Sequence, residues 1–362
     1  MGRVHEPYPR NAQDVATVRE YISPDTRVPE VNVLSNGSFT TVVTNTGSGF
    51  NQYKGLLVSR WREDPVMDPW GSYVYIRDVS QDKLWSPSYQ PCKLEASEQR
   101  VEFELDRATF MRVDGDIKTN MEICVSSEWN AELRRITLTN SGEQSKVLEV
   151  TTFVEPALSN PIADVAHTAF SKLFIRTAFD AESGCLVAGR RPREAKDQAL
   201  WSAHSLMVDG NTLGTIEFET DRSSFIGRGY QLSEPKGIRT RLRGKVGSVA
   251  DPAFVMRRRI CIEPGKQIRL FAVTSVSETR EEAIEIVRKF TPDQAVERAF
   301  QLSWNRAQIE IRNLHLTNRE ATDFSKAGRT NFIYIPAEEG SDEQYFKQYK
   351  RPVWTLGLWG IW

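Results

Sequence analysis

Apolar and polar positions alternate in short runs over most of this chain. The first clear case is Glu30-Val31-Asn32-Val33-Leu34-Ser35, then Asn36-Gly37, then Phe39-Thr40-Thr41-Val42-Val43-Thr44. Asn-Gly between two β-prone runs predicts a hairpin, because both residues tolerate positive φ. Asp114-Gly115 and Asp209-Gly210 repeat that chemistry, and Glu263-Pro264-Gly265-Lys266 suits a type II turn. Beyond it, Ile268, Leu270, Ala272, Thr274 and Val276 alternate with their neighbours, as a half-buried strand should. Many short strands with turn punctuation and no interleaved long helices predict antiparallel sheets packed as a sandwich.

The period then changes. Thr279-Arg280-Glu281-Glu282 is a capping box ahead of Ala283-Ile284-Glu285-Ile286-Val287. Thr291-Pro292-Asp293-Gln294 is a second, with proline at the first helical position, and predicts a long helix to Leu314. Thr317-Asn318-Arg319-Glu320 is a third, leading toward Ile335. The segment from Pro352 to Trp362 is rich in tryptophan and glycine and carries no charge. It reads as a segment meant to pack against something. The chain therefore divides into an N-terminal extension (1–27), a β-sandwich region (28–277), a helical region (278–350) and an apolar segment (351–362).

Composition narrows the function. With 40% hydrophobic and 26% charged residues among 362, a packed globular protein is expected. Lys+Arg number 47 against 48 Asp+Glu, a formal net charge of -1, so no broad nucleic-acid footprint is implied. The basic runs Arg190-Arg191-Pro192-Arg193 and Arg257-Arg258-Arg259 read as a solvated loop and as a strand of alternating exposure. The opening residues lack the apolar core of a secretory signal, no stretch reaches a membrane-spanning length, and a cytoplasmic location is expected. Cys92, Cys124, Cys185 and Cys261 are far apart, and His5, His167, His204 and His315 show no ligand spacing. Reduced, mostly buried thiols and no metal or cofactor are expected.

The densest chemistry lies in four segments: Arg60-Trp61-Arg62-Glu63-Asp64, Asp68-Pro69-Trp70-Gly71, Tyr75-Ile76-Arg77-Asp78 and Trp85-Ser86-Pro87. Indole faces stack on sugar rings, while Arg and Asp bond hydroxyl groups. Arg60, Trp61, Arg62, Asp64, Trp70, Arg77, Asp78 and Trp85 are thus candidate carbohydrate-binding residues. The plainer alternative is that the tryptophans are core and the charges paired. Asp64 with Asp68, or Glu63 with Asp78, are nominal carboxylate pairs for glycosidic chemistry, which needs a separation of roughly 5–9.5 Å. Gly-x-Ser-x-Gly is absent, and Gly47-Ser48-Gly49 lacks the Lys-Ser/Thr of a nucleotide loop.

Together these motifs resemble the glycoside hydrolase family 94 module (glycosyltransferase family 36 type). Leu34-Ser35-Asn36-Gly37, Thr44 to Phe50 and Arg60 to Asp64 look like its opening. Trp70-Gly71-Ser72, Ile76-Arg77-Asp78, Trp85-Ser86-Pro87 and Tyr89-Gln90-Pro91 follow in order. Phe218 to Arg222 and Phe225-Ile226-Gly227-Arg228-Gly229 are similar to a later motif. The branch it is most similar to is that of the cyclic β-1,2-glucan synthases and β-1,2-oligoglucan phosphorylases.

The resemblance implies a β-supersandwich, then helical linkers, then an (α/α)6 barrel with an aspartate general acid. The family cleaves or forms glycosidic bonds with inorganic phosphate as a substrate, with inversion. Residues 351–362, ending Leu358-Trp359-Gly360-Ile361-Trp362, look like the lead-in to that barrel; the barrel itself is not expected in this chain, so no catalytic residue is assigned. The implied role is a carbohydrate-binding or structural module for a β-glucan, not catalytic alone, with a homodimer or a separate barrel chain as partner. Half of a split phosphorylase and a sandwich that binds no sugar are the other readings.

Overall fold

The computed structural model describes residues 18–192, 199–290 and 293–313. Among them lie three antiparallel sheets. The largest has ten strands in the order Arg19–Tyr21, Glu98–Phe103, Ala108–Asp114, Ile117–Val125, Ala131–Asn140, Gln267–Ser277, Leu200–Asp209, Cys185–Arg190, Ile175–Asp180 and Gly247–Ser248. A five-stranded sheet runs Glu217–Asp221, Pro252–Ile262, Lys146–Val154, Tyr73–Asp78, Lys83–Trp85. A second runs Pro156–Ser159, Leu56–Ser59, Gly49–Tyr53, Phe39–Thr44, Val31–Ser35. Inward residues of all three meet in one core that includes Phe39, Ile76, Phe110, Ile136, Val150, Phe254 and Leu270. This is a sandwich in which two small sheets share one large one.

The first hairpin forms with the expected partners, Val31 opposite Thr44 and Ser35 opposite Thr40. Its turn is shifted by one residue from the expected Asn-Gly centre. Gly37, at φ +98°, takes the first central position and Ser38 the second. Asn36 stays outside the turn because its side chain is committed: Oδ1 accepts from Phe39 N at 2.8 Å, and Nδ2 donates to Ser126 O at 2.9 Å. Asp209-Gly210 makes no hairpin. The chain leaves the ten-stranded sheet there, and the next strand, Glu217–Asp221, joins a five-stranded sheet. At Glu263–Lys266 the type II turn is present, with Lys266 N donating to Glu263 O at 3.1 Å and Gly265 at φ +68°. It too links two sheets.

Five α-helices lie among the described residues, α1 (Pro161–Ala166), α2 (Thr168–Lys172), α3 (Arg222–Ile226), α4 (Arg280–Lys289) and α5 (Asp293–Asn313), with one 3-10 turn at Lys236–Ile238. Half of the α4 capping box forms: Thr279 Oγ1 accepts from Glu282 N at 3.3 Å, but Thr279 N donates to Ser277 Oγ at 3.4 Å, and the Glu282 carboxylate accepts from Ser277 rather than from Thr279 N. Ala283, Ile284, Ile286 and Val287 of α4, and Val296, Ala299 and Phe300 of α5, cover the outer face of the ten-stranded sheet. That cover corrects one expectation. The strand Gln267–Ser277 is buried on both faces from Leu270 onward, since Phe271 and Val273 pack under the helices. Thr291-Pro292, the helix predicted from Thr317, and the Pro352–Trp362 segment lie outside the described residues. The short helices α1, α2 and α3 inside the β region were not expected. Their local causes are Asn160 capping α1 ahead of Pro161, and Asp221 capping α3.

Candidate functional site

The loop 60–72 leaves strand Leu56–Ser59 and returns into strand Tyr73–Asp78. Five of the eight candidates sit on it. Arg60 is fully buried: Nε and Nη2 grip Asp164 of α1 at 2.8 and 3.0 Å, and Nη1 lies 3.6 Å from Glu155. Burial would lower the Arg60 pKa, but Asp164 and Glu155 outweigh it and hold it above its ordinary value. Glu155 also accepts from Arg222 at 2.7 Å, and Arg222 lies 3.3 Å from Asp251. Arg60 is therefore a tether, with no free donor edge toward solvent.

Trp61 is half-buried, its ring 4.9 Å from that of Phe50. Arg62 stacks over Trp70 at 5.4 Å and donates to Thr168 Oγ1. Asp64 accepts from Met67 N at 3.0 Å through Oδ1. Asp68, at φ +42°, accepts from Thr44 Oγ1 at 2.6 Å and Thr46 Oγ1 at 2.5 Å. Burial pushes the Asp68 carboxyl pKa up, against the pull of Thr44 and Thr46. Gly49 N to Trp70 O (2.7 Å) and Gln90 Nε2 to Met67 O (2.9 Å) pin the loop to the strands beneath.

Trp61, Phe50, Val42, Thr44, Asp64 and Asp68 line a depression of about 20 Å³. That is room for little more than one water. The arrangement is an aromatic wall beside two fixed carboxyl groups, open on one side. It offers a surface for stacking and hydroxyl bonding rather than an enclosed pocket. Asp64 and Asp68 accept loop hydrogen bonds, whereas Glu63, exposed, lines the same depression.

The other three candidates lie apart, on the hairpin Tyr73–Asp78 and Lys83–Trp85. Arg77 bridges Asp82 at 2.8 Å and Glu149 at 3.0 Å. Asp78 holds the turn, accepting from Ser80 N at 2.8 Å and Gln81 N at 3.1 Å. Trp85 is 1% exposed within the central core, so its ring offers no face to a ligand. For Arg60, Asp78 and Trp85 the structure gives the plainer alternative, paired charge and core. Asp64 and Asp68 share a loop, whereas Glu63 and Asp78 lie in different places. Thr44, Thr46 and Phe50 were missed as candidates, although they sit in the Thr44 to Phe50 motif. Nothing in their type announced them; their place beside Asp68 and Trp61 comes from strand pairing.

The remaining chemistry is structural. Among the described residues no group of three or more His, Cys, Asp or Glu could hold a metal. Burial pushes the Cys92 thiol up to about 12 and raises those of Cys124 and Cys185. Arg257 is buried and bonds Thr151 and two backbone carbonyls, and Arg259 pairs with Glu149. No helix among the described residues is long and apolar enough to cross a membrane.

Residues 15–293 match the family model described as glycosyl hydrolase 94, supersandwich domain. The chain belongs to this family. It is 30% identical over 352 residues to the cyclic beta-(1,2)-glucan synthase NdvB of Rhizobium meliloti (strain 1021), covering 96% of this chain and 12% of that protein. It is 21% identical to the N,N'-diacetylchitobiose phosphorylase of Vibrio proteolyticus, covering 71% of this chain and 32% of that protein. It is 21% identical to the solabiose phosphorylase of Paenibacillus borealis, covering 78% and 36%. The chain thus spans about a third or less of the length of these relatives. The supersandwich match agrees with the three-sheet architecture and with the resemblance drawn from the motifs.

Proposed function

We propose that this chain is a β-glucan-contacting supersandwich module of a carbohydrate-active protein, and that it does not turn over substrate alone. The observation that carries this reading is the family match over residues 15–293, alongside relatives named as a glucan synthase and as phosphorylases. A β-1,2-glucan is the favoured ligand, because the glucan synthase aligns over 96% of the chain. Trp61 and Trp70 supply stacking faces, and Arg62, Asp64 and Asp68 supply polar groups beside them. Catalysis would come from a barrel outside these 362 residues, with inorganic phosphate as its substrate. We place the sheet region at 28–277, the helical region at 278–350 and the site of action in the cytoplasm.

Calorimetric titration with linear β-1,2-glucooligosaccharides, with cellooligosaccharides as control, tests the binding. Selective binding weakened by Trp61→Ala is expected, and absence of any binding overturns it. Incubation with phosphate and the same glucans is expected to release no glucose 1-phosphate. Steady release would show catalysis by the chain itself. The second reading, a sandwich that binds no sugar, is favoured by the burial of Arg60, Asp78 and Trp85.

A further inference from the structure

The outer cover of the sheet containing Pro252–Ile262 carries a charge that the balance of the whole chain conceals. Six cations, Arg228, Lys236, Arg239, Arg241, Arg243 and Lys245, lie in one segment with a single carboxylate, Glu234. The rest of the chain is net acidic, since the formal total is -1. All six cations are exposed. The cause is local. Leu242 is buried in the cluster with Tyr75, Phe225 and Val255, while Arg241 and Arg243 on either side of it point to solvent.

The segment is held by its backbone. Gly244 N donates to Phe218 O at 2.8 Å, and Thr220 N donates to Lys245 O at 3.1 Å, so it runs along the edge strand Glu217–Asp221. Buried Arg257 donates to Thr240 O at 2.9 Å and to Gly237 O at 2.5 Å. None of these bonds uses a side chain of the basic row. Arg239 pairs with Asp82 and Glu234, each at 2.8 Å, and Lys245 pairs with Asp221 at 2.5 Å. Among the described residues no carboxylate pairs with Arg228, Lys236, Arg241 or Arg243. Like charges fixed on one backbone repel, so these four weaken the fold rather than hold it. Their charge is balanced from outside the chain.

We propose that this segment is a contact surface for an anionic lipid membrane. Two exposed apolar side chains favour lipid over other polyanions: Tyr230 is 52% exposed and Val246 43%. A Cβ on Gly227 would meet Lys236 Cβ at 3.0 Å and Tyr230 Cδ2 at 3.1 Å, so the tyrosine ring stands beside a cation. Val246 directly follows Lys245. Cations are drawn to an anionic headgroup layer, and a tyrosine ring sits at its depth with the hydroxyl in water. A nucleic-acid strand instead needs successive stacking rings along its track, and this segment has one aromatic residue. The contact is peripheral and reversible, and the inference does not depend on glucan binding.

Co-sedimentation of the full chain with vesicles tests it. Binding to vesicles of about one-third phosphatidylglycerol, and none to pure phosphatidylcholine, is expected at low salt. Release is expected near 1 M salt, where screening cuts the reach of each charge to about 3 Å. R241Q/R243Q should weaken binding about twentyfold, roughly fivefold per cation. K118Q/R176Q removes two exposed cations of the ten-stranded sheet and should leave binding unchanged. No binding, equal binding to both vesicles, or equal losses in the two charge variants overturns the proposal. Y230S/V246S should weaken vesicle binding about fivefold and leave retention on immobilised polyglutamate unchanged. If that variant binds vesicles as the parent chain does, the surface reads charge alone and the assignment to lipid falls.

Discussion

The two five-stranded sheets present very different outer faces. The sheet containing Pro252–Ile262 is closed by α3 and the segment after it. Phe225, Ile226, Ile238 and Leu242 pack on Tyr73, Tyr75, Phe153 and Val255, and Tyr75 OH donates to Leu232 O at 2.7 Å. The sheet containing Phe39–Thr44 carries only a small outer cluster of Val31, Val42, Phe50, Leu57 and Ala157, fringed by Val33 and Trp61. Tryptophans of similar sequence context therefore have opposite fates. Trp85 pairs across from Ile76 and faces the core, while Trp61 edges an open surface. The lesson is that one sheet spends its outer face on packing, while the other leaves its outer face largely uncovered.

The contrast is sharpest in stability. Trp85→Ala is expected to destabilise by about 3–5 kcal/mol in urea titration, the range for a core aromatic. An effect as small as that of Trp61→Ala would erase the distinction. Asp164→Ala leaves the Arg60 charge buried without its bidentate partner, and a similar loss of about 3–5 kcal/mol is expected. That change should also free the α1–α2 hairpin, read as faster amide exchange over residues 161–173.

A medium effect is expected from acid. His204 lies wholly inside, between Thr152 Oγ1 at 2.8 Å and Thr274 Oγ1 at 2.9 Å, and burial, aided by Arg134, lowers its pKa to about 3. The folded chain keeps it neutral, whereas the unfolded chain protonates it below about 6.5. Stability is therefore present above that value and is lost as pH falls from about 6.5 toward 3. The slope approaches 1.4 kcal/mol per pH unit for this group alone. His204→Gln should flatten the profile between pH 6.5 and 5, and an unchanged slope there would show that His204 does not titrate on unfolding.

The smallest expected effect belongs to the open sheet. Trp61→Ala should cost about 1 kcal/mol of stability, the scale of its ring contact with Phe50, while weakening glucan affinity about tenfold. Trp85→Phe should leave affinity unchanged. If the two variants exchange these outcomes in paired titrations, the assignment of faces is reversed.

Local chemistry was readable from the sequence. The first hairpin, the Glu263–Lys266 turn and the Thr279 cap depend on residues within a few positions of each other. Sheet assembly was not readable, because Lys146–Val154 pairs with Tyr73–Asp78 on one side and Pro252–Ile262 on the other, far along the chain. The candidate site suffered the same way. Residue type proposed Trp61, Trp70 and Trp85 equally; strand pairing with Ile76 takes Trp85 into the core, while Trp61 and Trp70 lie on the loop 60–72. The α1–α2 hairpin escaped notice because its apolar positions face outward, so the usual rule that periodic apolar residues are buried points the wrong way.

The ends of the ten-stranded sheet have a consequence of their own. Its outermost strands are Arg19–Tyr21 and Gly247–Ser248, of three and two residues. A strand so short offers almost no ladder of unpaired amides and carbonyls for a foreign strand to extend. Those two ends of the large sheet are thereby poor templates for fibre-like growth.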